Sequence, residues 1–138
     1  MKSLLIISHL VLNFILPAKQ EPLAITFTNV RNTRAPLVVG VFRKSDPFTK
    51  VPFKNYKLEP NGGSSPTLFI DDLPYGEYAV AVFQDENGDG KLNTNIVGIP
   101  KEPYCFSNNY RPRVKSPKYD QCKFSYSQKN NHMYLQLL

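Results

Sequence analysis

The sequence is poor in histidine, the side chain that enzymes use most often for acid-base catalysis. It contains two histidines, and only His132 lies after residue 18. That histidine falls in a predicted turn, where we expect it to be exposed and without a nucleophile or carboxylate partner. The sequence also lacks a Gly-x-Ser-x-Gly elbow and a phosphate-binding glycine loop. These absences argue against the common enzyme classes, and we predict no catalytic residues.

Long hydrophobic runs are also scarce. The apolar run from Leu4 to Leu16 follows Lys2 and is shorter than the roughly 20 residues that a membrane-spanning helix needs. It is typical of a secretory signal peptide with cleavage near Pro17-Ala18-Lys19, and an uncleaved membrane anchor is the alternative. We predict a signal peptide over residues 1–18 and one domain over residues 19–138. The protein would then be exported, periplasmic or extracellular, with no transmembrane span in its mature chain.

Cysteine is nearly absent. The two cysteines, Cys105 and Cys122, lie in a chain that we expect in an oxidising compartment, where an even number of cysteines favours a disulfide. Closing that loop would contribute about 3 kcal/mol to the free energy of unfolding. The alternative is a pair of small buried thiols. The spacing of zinc-binding cysteine clusters is missing, so we expect no metal site from these two residues.

The charged residues are unevenly distributed. The net charge is +6, but seven of the eleven acids lie between Asp71 and Glu102, whereas six basic residues and one acid lie between Arg111 and Lys129. The basic charges are dispersed, which is typical of a solvated face, whereas the acidic segment suits a cation. Nucleic acid is not an expected partner of an exported chain.

The remaining pattern is that of β-strands. Short apolar runs, rich in β-branched and aromatic side chains, are separated by Pro, Gly and Asn turns. Strands are predicted at 23–30, 37–42, 56–58, 67–70 and 77–83, a strand or ordered loop at 104–109, and a last hairpin of 123–127 with 133–138. Both faces of the strand at 77–83 are apolar, which predicts a central position. These features predict an all-β fold, an antiparallel β-sandwich of about seven strands.

One loop carries a regular series of oxygen ligands. In Asp85-Glu-Asn-Gly-Asp-Gly-Lys-Leu-Asn93, oxygen-bearing side chains recur at every second residue, and glycine permits a sharp turn. Ile96 occupies the position of the closing glutamate in a calcium loop, and a strand is predicted before the loop, so an EF-hand is excluded. With two certain carboxylates, the expected dissociation constant is roughly 10⁻⁴ to 10⁻³ M. The alternative is that the side chains cap tight turns by accepting backbone hydrogen bonds. The candidate calcium ligands are Asp85, Asn87, Asp89, the carbonyl of Lys91, Asn93 and, to complete the shell, Glu102.

The segment Tyr78-Ala-Val-Ala-Val-Phe-Gln-Asp-Glu-Asn-Gly-Asp-Gly-Lys-Leu-Asn-Thr-Asn95 and its continuation from Gly98 to Asn109 closely resemble a bacterial family, domain of unknown function 2141. The resemblance implies an exported protein with a small prealbumin-like or immunoglobulin-like β-sandwich over residues 22–138. The run Leu73-Pro-Tyr-Gly-Glu-Tyr78 is similar to a corner in which glycine makes the turn and tyrosine packs beneath it.

The chain departs from the family pattern near this loop. Gln84 replaces a usual histidine and so removes an acid-base group. Asn93 replaces a usual aspartate, which lowers the charge of the loop. Cys105 and Cys122 stand at positions that are usually small, and this paired gain favours a disulfide particular to this chain.

The loop and its continuation predict one functional surface from Asp85 to Asn109. We expect a non-catalytic binding or structural module, with calcium as its one candidate cofactor and a cell-envelope glycan or protein as its partner. The alternative is a carbohydrate-directed accessory or hydrolase domain in which Asp85 and Glu102 act as paired carboxylates. The predicted binding surface comprises Glu86, Tyr104, Phe106, Ser107, Asn108 and Asn109.

Overall fold

The structure is a computed structural model that describes residues 19–59 and 61–138, so the predicted signal peptide lies outside the described residues. This part of the chain contains one 3-10 turn, Ser107–Asn109, and one helical turn, α1, Tyr119–Cys122. None of its helices is long and apolar enough to cross a membrane. The prediction of a nearly all-β chain is confirmed. The strands are β1 Leu23–Thr28, β2 Leu37–Phe42, β3 Lys54–Leu58, β4 Thr67–Ile70, β5 Gly76–Gln84, β6 Tyr104–Phe106, β7 Phe124–Tyr126 and β8 His132–Gln136.

The strands form two sheets. In the three-stranded sheet, β1 lies between β4 and β8. In the five-stranded sheet, β3 pairs with β2 and β2 pairs with β5, while β6 and β7 both pair with the opposite edge of β5. The central position predicted for β5 is confirmed, because the strand has neighbours on both edges and apolar side chains on both faces.

The predicted last hairpin is wrong. β7 pairs with β5 in the larger sheet, whereas β8 pairs with β1 in the smaller sheet, and that second pairing is parallel. His132 therefore begins a strand instead of ending a turn. Alternation along such short strands indicates which face is buried, but it does not indicate the partner strand. The residues around Ser127 and Asn130, which bridge to each other, carry the chain from one sheet to the other.

Both sheets contribute to one hydrophobic core. Along β1, buried side chains alternate with half-exposed ones, as expected of a strand with one face on the core. At the start of β5, the Tyr78 hydroxyl donates to the Pro74 carbonyl at 3.0 Å, and the Tyr78 ring lies beneath Gly76, as the family resemblance implied. The fully buried members from the two sheets include Leu23, Ile25, Phe27, Val39, Val41, Val80 and Leu135.

β6 and β7 are the two halves of one interrupted strand along β5. Between them, residues 107–123 leave the sheet at the level of Val80. The Ser107 hydroxyl fills the gap, because Val80 N–H donates to Ser107 Oγ at 2.8 Å and Ser107 donates to the Cys122 carbonyl at 2.5 Å. One side chain thus satisfies buried backbone groups that a continuous strand would pair.

Candidate functional site

The buried carboxylate of Asp85 binds backbone N–H groups of the predicted acidic loop. Asp85 follows directly after β5 and is only 4% exposed. Its Oδ1 accepts the Gly88 N–H at 2.8 Å, and its Oδ2 accepts the Gly90 N–H at 3.0 Å. Both glycines have φ near +75°, at 76° and 73°, a conformation that favours glycine. Asp85 therefore uses both carboxylate oxygens to cap turns.

Glu102 fastens the far end of the same loop. Its side chain is buried, and its Oε1 accepts the Glu86 N–H at 2.9 Å. Its Oε2 accepts the Asn93 N–H at 2.9 Å. One carboxylate thus spans both ends of the loop, so this loop is a fixed structural element. The side chain of Glu86 itself is exposed.

Three side chains meet at the exposed tip of the loop. Asp89 Oδ1 accepts the Lys91 N–H at 2.9 Å, and Asp89 Oδ2 accepts bonds from the amides of Asn93 at 2.9 Å and Asn87 at 3.2 Å. The bonds from Asn93 and Lys91 hold the pKa of Asp89 below its ordinary value. Asp89 is therefore charged and faces solvent, whereas Asp85 faces the backbone.

The backbone hydrogen bonds accepted by Asp85 and Asp89 are those expected if the loop side chains cap tight turns, which is the alternative to calcium binding. Among the residues that the structure describes, no three His, Cys, Asp or Glu side chains converge as metal ligands. An ion would have to share oxygens that already accept hydrogen bonds. Calcium binding stays a prediction for Asp85, Asn87, Asp89, Lys91, Asn93 and Glu102.

The predicted disulfide is not formed. Cys105 and Cys122 are both free and buried. Cys105 in β6 belongs to the core that both sheets share, whereas Cys122 in α1 packs on the outer face of the five-stranded sheet with Ala79 and Phe106. Burial raises the pKa of both thiols, that of Cys122 to about 11. The sheet itself separates the two side chains, so the alternative of two buried thiols describes this structure.

The predicted surface residues Ser107-Asn108-Asn109 bind the backbone of their own chain. Ser107 is fully buried in the gap along β5. The Asn108 amide donates to the Lys123 carbonyl at 2.8 Å. The Asn109 amide donates to the Tyr134 carbonyl at 2.9 Å and accepts the Gln136 N–H at 2.8 Å, so it pairs with the edge of β8 as a strand would. The three side chains thus tie residues 107–123 to both sheets.

Gln84 lies inside the protein at the end of β5. Its amide nitrogen donates to the carbonyls of Asn32 at 2.5 Å and Ala35 at 3.1 Å. Its Oε1 has no partner among the described residues. The side chain therefore fixes the segment before β2 and does not face the acidic loop.

A cleft of about 730 Å³ lies on the outer face of the five-stranded sheet. Three segments wall it, at 49–52, 90–100 and 112–117. The second wall segment is the continuation of the acidic loop, so Asp85 and Glu102 hold one wall of this cleft in place. The residues of its floor are Val38, Gly40, Phe42, Asn55, Ala81, Phe83, Tyr104 and Phe106.

The hollow in the floor follows from the strand register. Gly40 on β2 lies opposite Ala81 on β5, whose other neighbour is Phe106 on β6. The two smallest floor residues thus meet among aromatic side chains. A Cβ at Gly40 would lie 2.9 Å from Phe42 Cε2 and 3.3 Å from Pro52 Cβ, so glycine is needed for this close approach.

The charged residues that line the cleft are all cations. They are Lys50, Lys91, Arg113 and Lys115, and the described lining contains no carboxylate. In the described part of the chain, none of these four side chains forms a salt bridge. The cleft therefore combines an apolar floor with a positive rim, in which Lys91 has the charged Asp89 nearby.

The model of a family described as uncharacterized protein conserved in bacteria, DUF2141, matches residues 25–134. The chain belongs to the DUF2141 family. This confirms the resemblance inferred from the acidic loop and its continuation. No curated protein and no solved structure matches the chain.

The sequence pattern predicted the acidic loop of the DUF2141 domain, but it did not predict the cleft. Of the predicted binding residues, only Tyr104 and Phe106 line the cleft. The signal that could have revealed it is Gly40 inside an otherwise apolar strand, because a glycine there indicates close approach by another group. The wall 112–117 carries no such signal, since it resembles an ordinary basic loop.

Proposed function

We propose that this DUF2141 chain is an exported, non-catalytic binding module with a β-sandwich fold, and that its ligand site is the cleft on the five-stranded sheet. Its ligand would combine an apolar body with an anionic group. The observation that carries the proposal is an apolar, aromatic floor whose only charged neighbours in the described lining are cations.

The size and floor of the cleft suit the apolar body. Small-molecule sites commonly enclose about 300 to 1,000 Å³ and are lined mainly by apolar and aromatic side chains. The hollow over Ala81 has this character, with Phe83 and Tyr104 on one side. A ligand that covers this floor would gain free energy in proportion to the apolar area removed from water.

The rim suits the anionic group. Lysine offers a point charge, and arginine offers a planar fork that binds carboxylate or phosphate with two parallel hydrogen bonds. With no salt bridge among the described residues, Lys91, Arg113 and Lys115 remain available to a ligand.

The acidic loop supports this site as a structural part. Asp85 and Glu102 anchor the wall 90–100, and calcium at the exposed tip would add to that anchoring. The carbohydrate-directed hydrolase alternative has less support, because both oxygens of Glu102 already accept backbone N–H groups. The apolar run Leu4 to Leu16 supports export, and the core shared by both sheets supports the sandwich.

A ligand titration tests the proposal. We expect octanoate to displace the fluorescent anion 1-anilinonaphthalene-8-sulfonate from the protein and octanol of equal chain length to do so more weakly. Ala81→Leu fills the hollow and should abolish binding. Ala24→Leu, the same change on the outer face of the three-stranded sheet, is the matched control and should bind normally.

The rim is tested by charge reversal. Lys91→Glu with Lys115→Glu should weaken octanoate binding and leave octanol binding unchanged, whereas Lys129→Glu, exposed and outside the cleft, should have no effect. Equal binding of octanoate by the wild type and by Ala81→Leu would refute the cleft as the site.

A further inference from the structure

The walls of the cleft expose a concentration of aliphatic side chains. Among the described residues, eight large apolar side chains are exposed, and five of them lie within the three wall segments. Ile96 is fully exposed, at 105%, and Val114 is nearly so, at 91%. Exposed aliphatic groups that converge around one opening indicate an interaction surface. We call these five residues the wall tips, and they are Val51, Ile96, Val97, Ile99 and Val114.

We propose that the wall tips dock the protein on an anionic lipid bilayer, with the mouth of the cleft turned toward the headgroups. This goes beyond the proposed ligand site, because docking uses the tips and not the floor.

The wall tips Ile96, Val97 and Ile99 lie in one ordered loop that keeps their side chains exposed. Residues 94–100 form a small hairpin in which Thr94 bridges Pro100. Asn95 closes it, because Asn95 Oδ1 accepts the N–H groups of Val97 at 3.0 Å and Ile99 at 2.9 Å. Gly98 completes the turn with a φ of 82°. The N–H groups of Asn95, Val97, Gly98 and Ile99 are thus bonded within the loop, which lowers the polar cost of placing its side chains in an apolar layer.

The charges beside the tips favour an anionic bilayer as the occupant. The segments 49–52, 90–100 and 112–117 contain Lys50, Lys91, Arg113 and Lys115 and no acid. Each basic residue close to an anionic membrane strengthens binding about fivefold. Cations that flank exposed aliphatic groups are the combination that peripheral proteins use at lipid surfaces. A neutral apolar partner would leave Lys50, Arg113 and Lys115 without a counter-charge, whereas Lys91 has Asp89 nearby.

The chain contains no tryptophan, which permits a position-specific test. Val114→Trp in the full chain places one indole at a tip, and Phe69→Trp places one at an exposed site in the three-stranded sheet. With vesicles of phosphatidylcholine and phosphatidylglycerol, the emission of Val114→Trp should shift to shorter wavelength. Phe69→Trp should not shift, and phosphatidylcholine vesicles should shift neither variant.

Second substitutions in the Val114→Trp chain test the two components of docking. Ile96→Ser with Val97→Ser should weaken vesicle affinity at least about fivefold, through lost apolar contact. Arg113→Glu with Lys115→Glu should weaken it more, and Lys129→Glu should not. The docking proposal is overturned if Val114→Trp shows no shift, if both tryptophans shift alike, or if the paired serine substitutions have no effect.

Different variants should remove ligand binding by the cleft and membrane docking by the wall tips. Ala81→Leu should lose octanoate binding and keep the vesicle-induced shift of Val114→Trp. The serine pair at residues 96 and 97 should keep octanoate binding and lose vesicle affinity. Loss of both functions in both variants would contradict the separate roles of floor and tips.

Discussion

Gly40 lies directly opposite Ala81 on the neighbouring strands β2 and β5. Side chains of ordinary size at these two positions would fill the outer face of the sheet, as they fill its inner face. At Gly40 the Phe42 ring and Pro52 already occupy the place of a Cβ, so the hollow lies over Ala81, and the loops around it make it a cleft. The proposed ligand site thus depends on two small residues in register.

Gly40→Ala should disturb both the floor and the fold. The added methyl would lie 2.9 Å from Phe42 Cε2 and 3.3 Å from Pro52 Cβ, so the Phe42 ring must move. We expect the free energy of unfolding to fall by about 1 to 3 kcal/mol, as in other overpacked sites. Urea unfolding measures it. Gly63→Ala at an exposed turn is the control and should change it by less than about 0.5 kcal/mol.

Ser107→Ala should destabilise the protein, although the substitution removes only one oxygen. It leaves the Val80 N–H without its acceptor and the Cys122 carbonyl without its donor, in a fully buried place. Unsatisfied buried groups cost about 1 to 3 kcal/mol, which urea unfolding resolves. Ser125→Ala in β7 is the exposed counterpart and should be nearly neutral. Equal stability of the two variants would show that the hydroxyl does not bridge the interrupted strand.

Asp85→Asn should loosen the acidic loop in the absence of any metal ion. The amide keeps one acceptor oxygen, so one of the bonds from Gly88 and Gly90 is lost. We expect Asp85→Asn to melt at a lower temperature than the wild type in the presence of a chelator. Glu86→Gln, whose side chain is exposed, is the control and should melt at the wild-type temperature.

The same melting experiment tests the calcium prediction. Calcium at about 1 mM, within the range expected for a weak site, should raise the melting temperature of the wild type and leave Asp89→Asn unaffected. If the wild type does not respond, hydrogen bonds alone hold the loop.

The two thiols should be present but protected. Burial raises the pKa of Cys122 to about 11 and that of Cys105 further, so both are protonated at neutral pH. A thiol reagent without reductant should therefore react slowly with the native protein and with two cysteines per chain in urea. A count of zero in urea would reveal the disulfide that this structure does not contain.

Much of the fold was predictable because it depends on local pattern. The residues of β2 and β4 and the central place of β5 follow from short apolar runs between turn residues. The partner of β8 was not predictable, because a parallel pairing with β1 joins residues more than 100 positions apart. The positions of Cys105 and Cys122 were not predictable either, since the sequence does not show which face of the sheet each occupies.

The candidate site also has one part that the sequence predicted and one part that it did not. The acidic loop was visible because its ligand spacing is local. The cleft was not visible, because its floor comes from four strands and its walls from three separated segments. The Ser107-Asn108-Asn109 run looks like a polar surface in the sequence, but its partners lie on β5, β8 and the end of α1, where only the folded chain brings them.

The most direct test of the central claim is to map octanoate on the protein by amide chemical shifts in NMR spectra. The predicted shifts are confined to the floor and walls of the cleft, at residues 38–42, 49–52, 55, 79–83, 90–100, 104–106 and 112–117, with no such pattern in Ala81→Leu. Shifts centred on Asp85 to Asp89 or on Asn108 and Asn109, or the same shifts in Ala81→Leu, would contradict the claim.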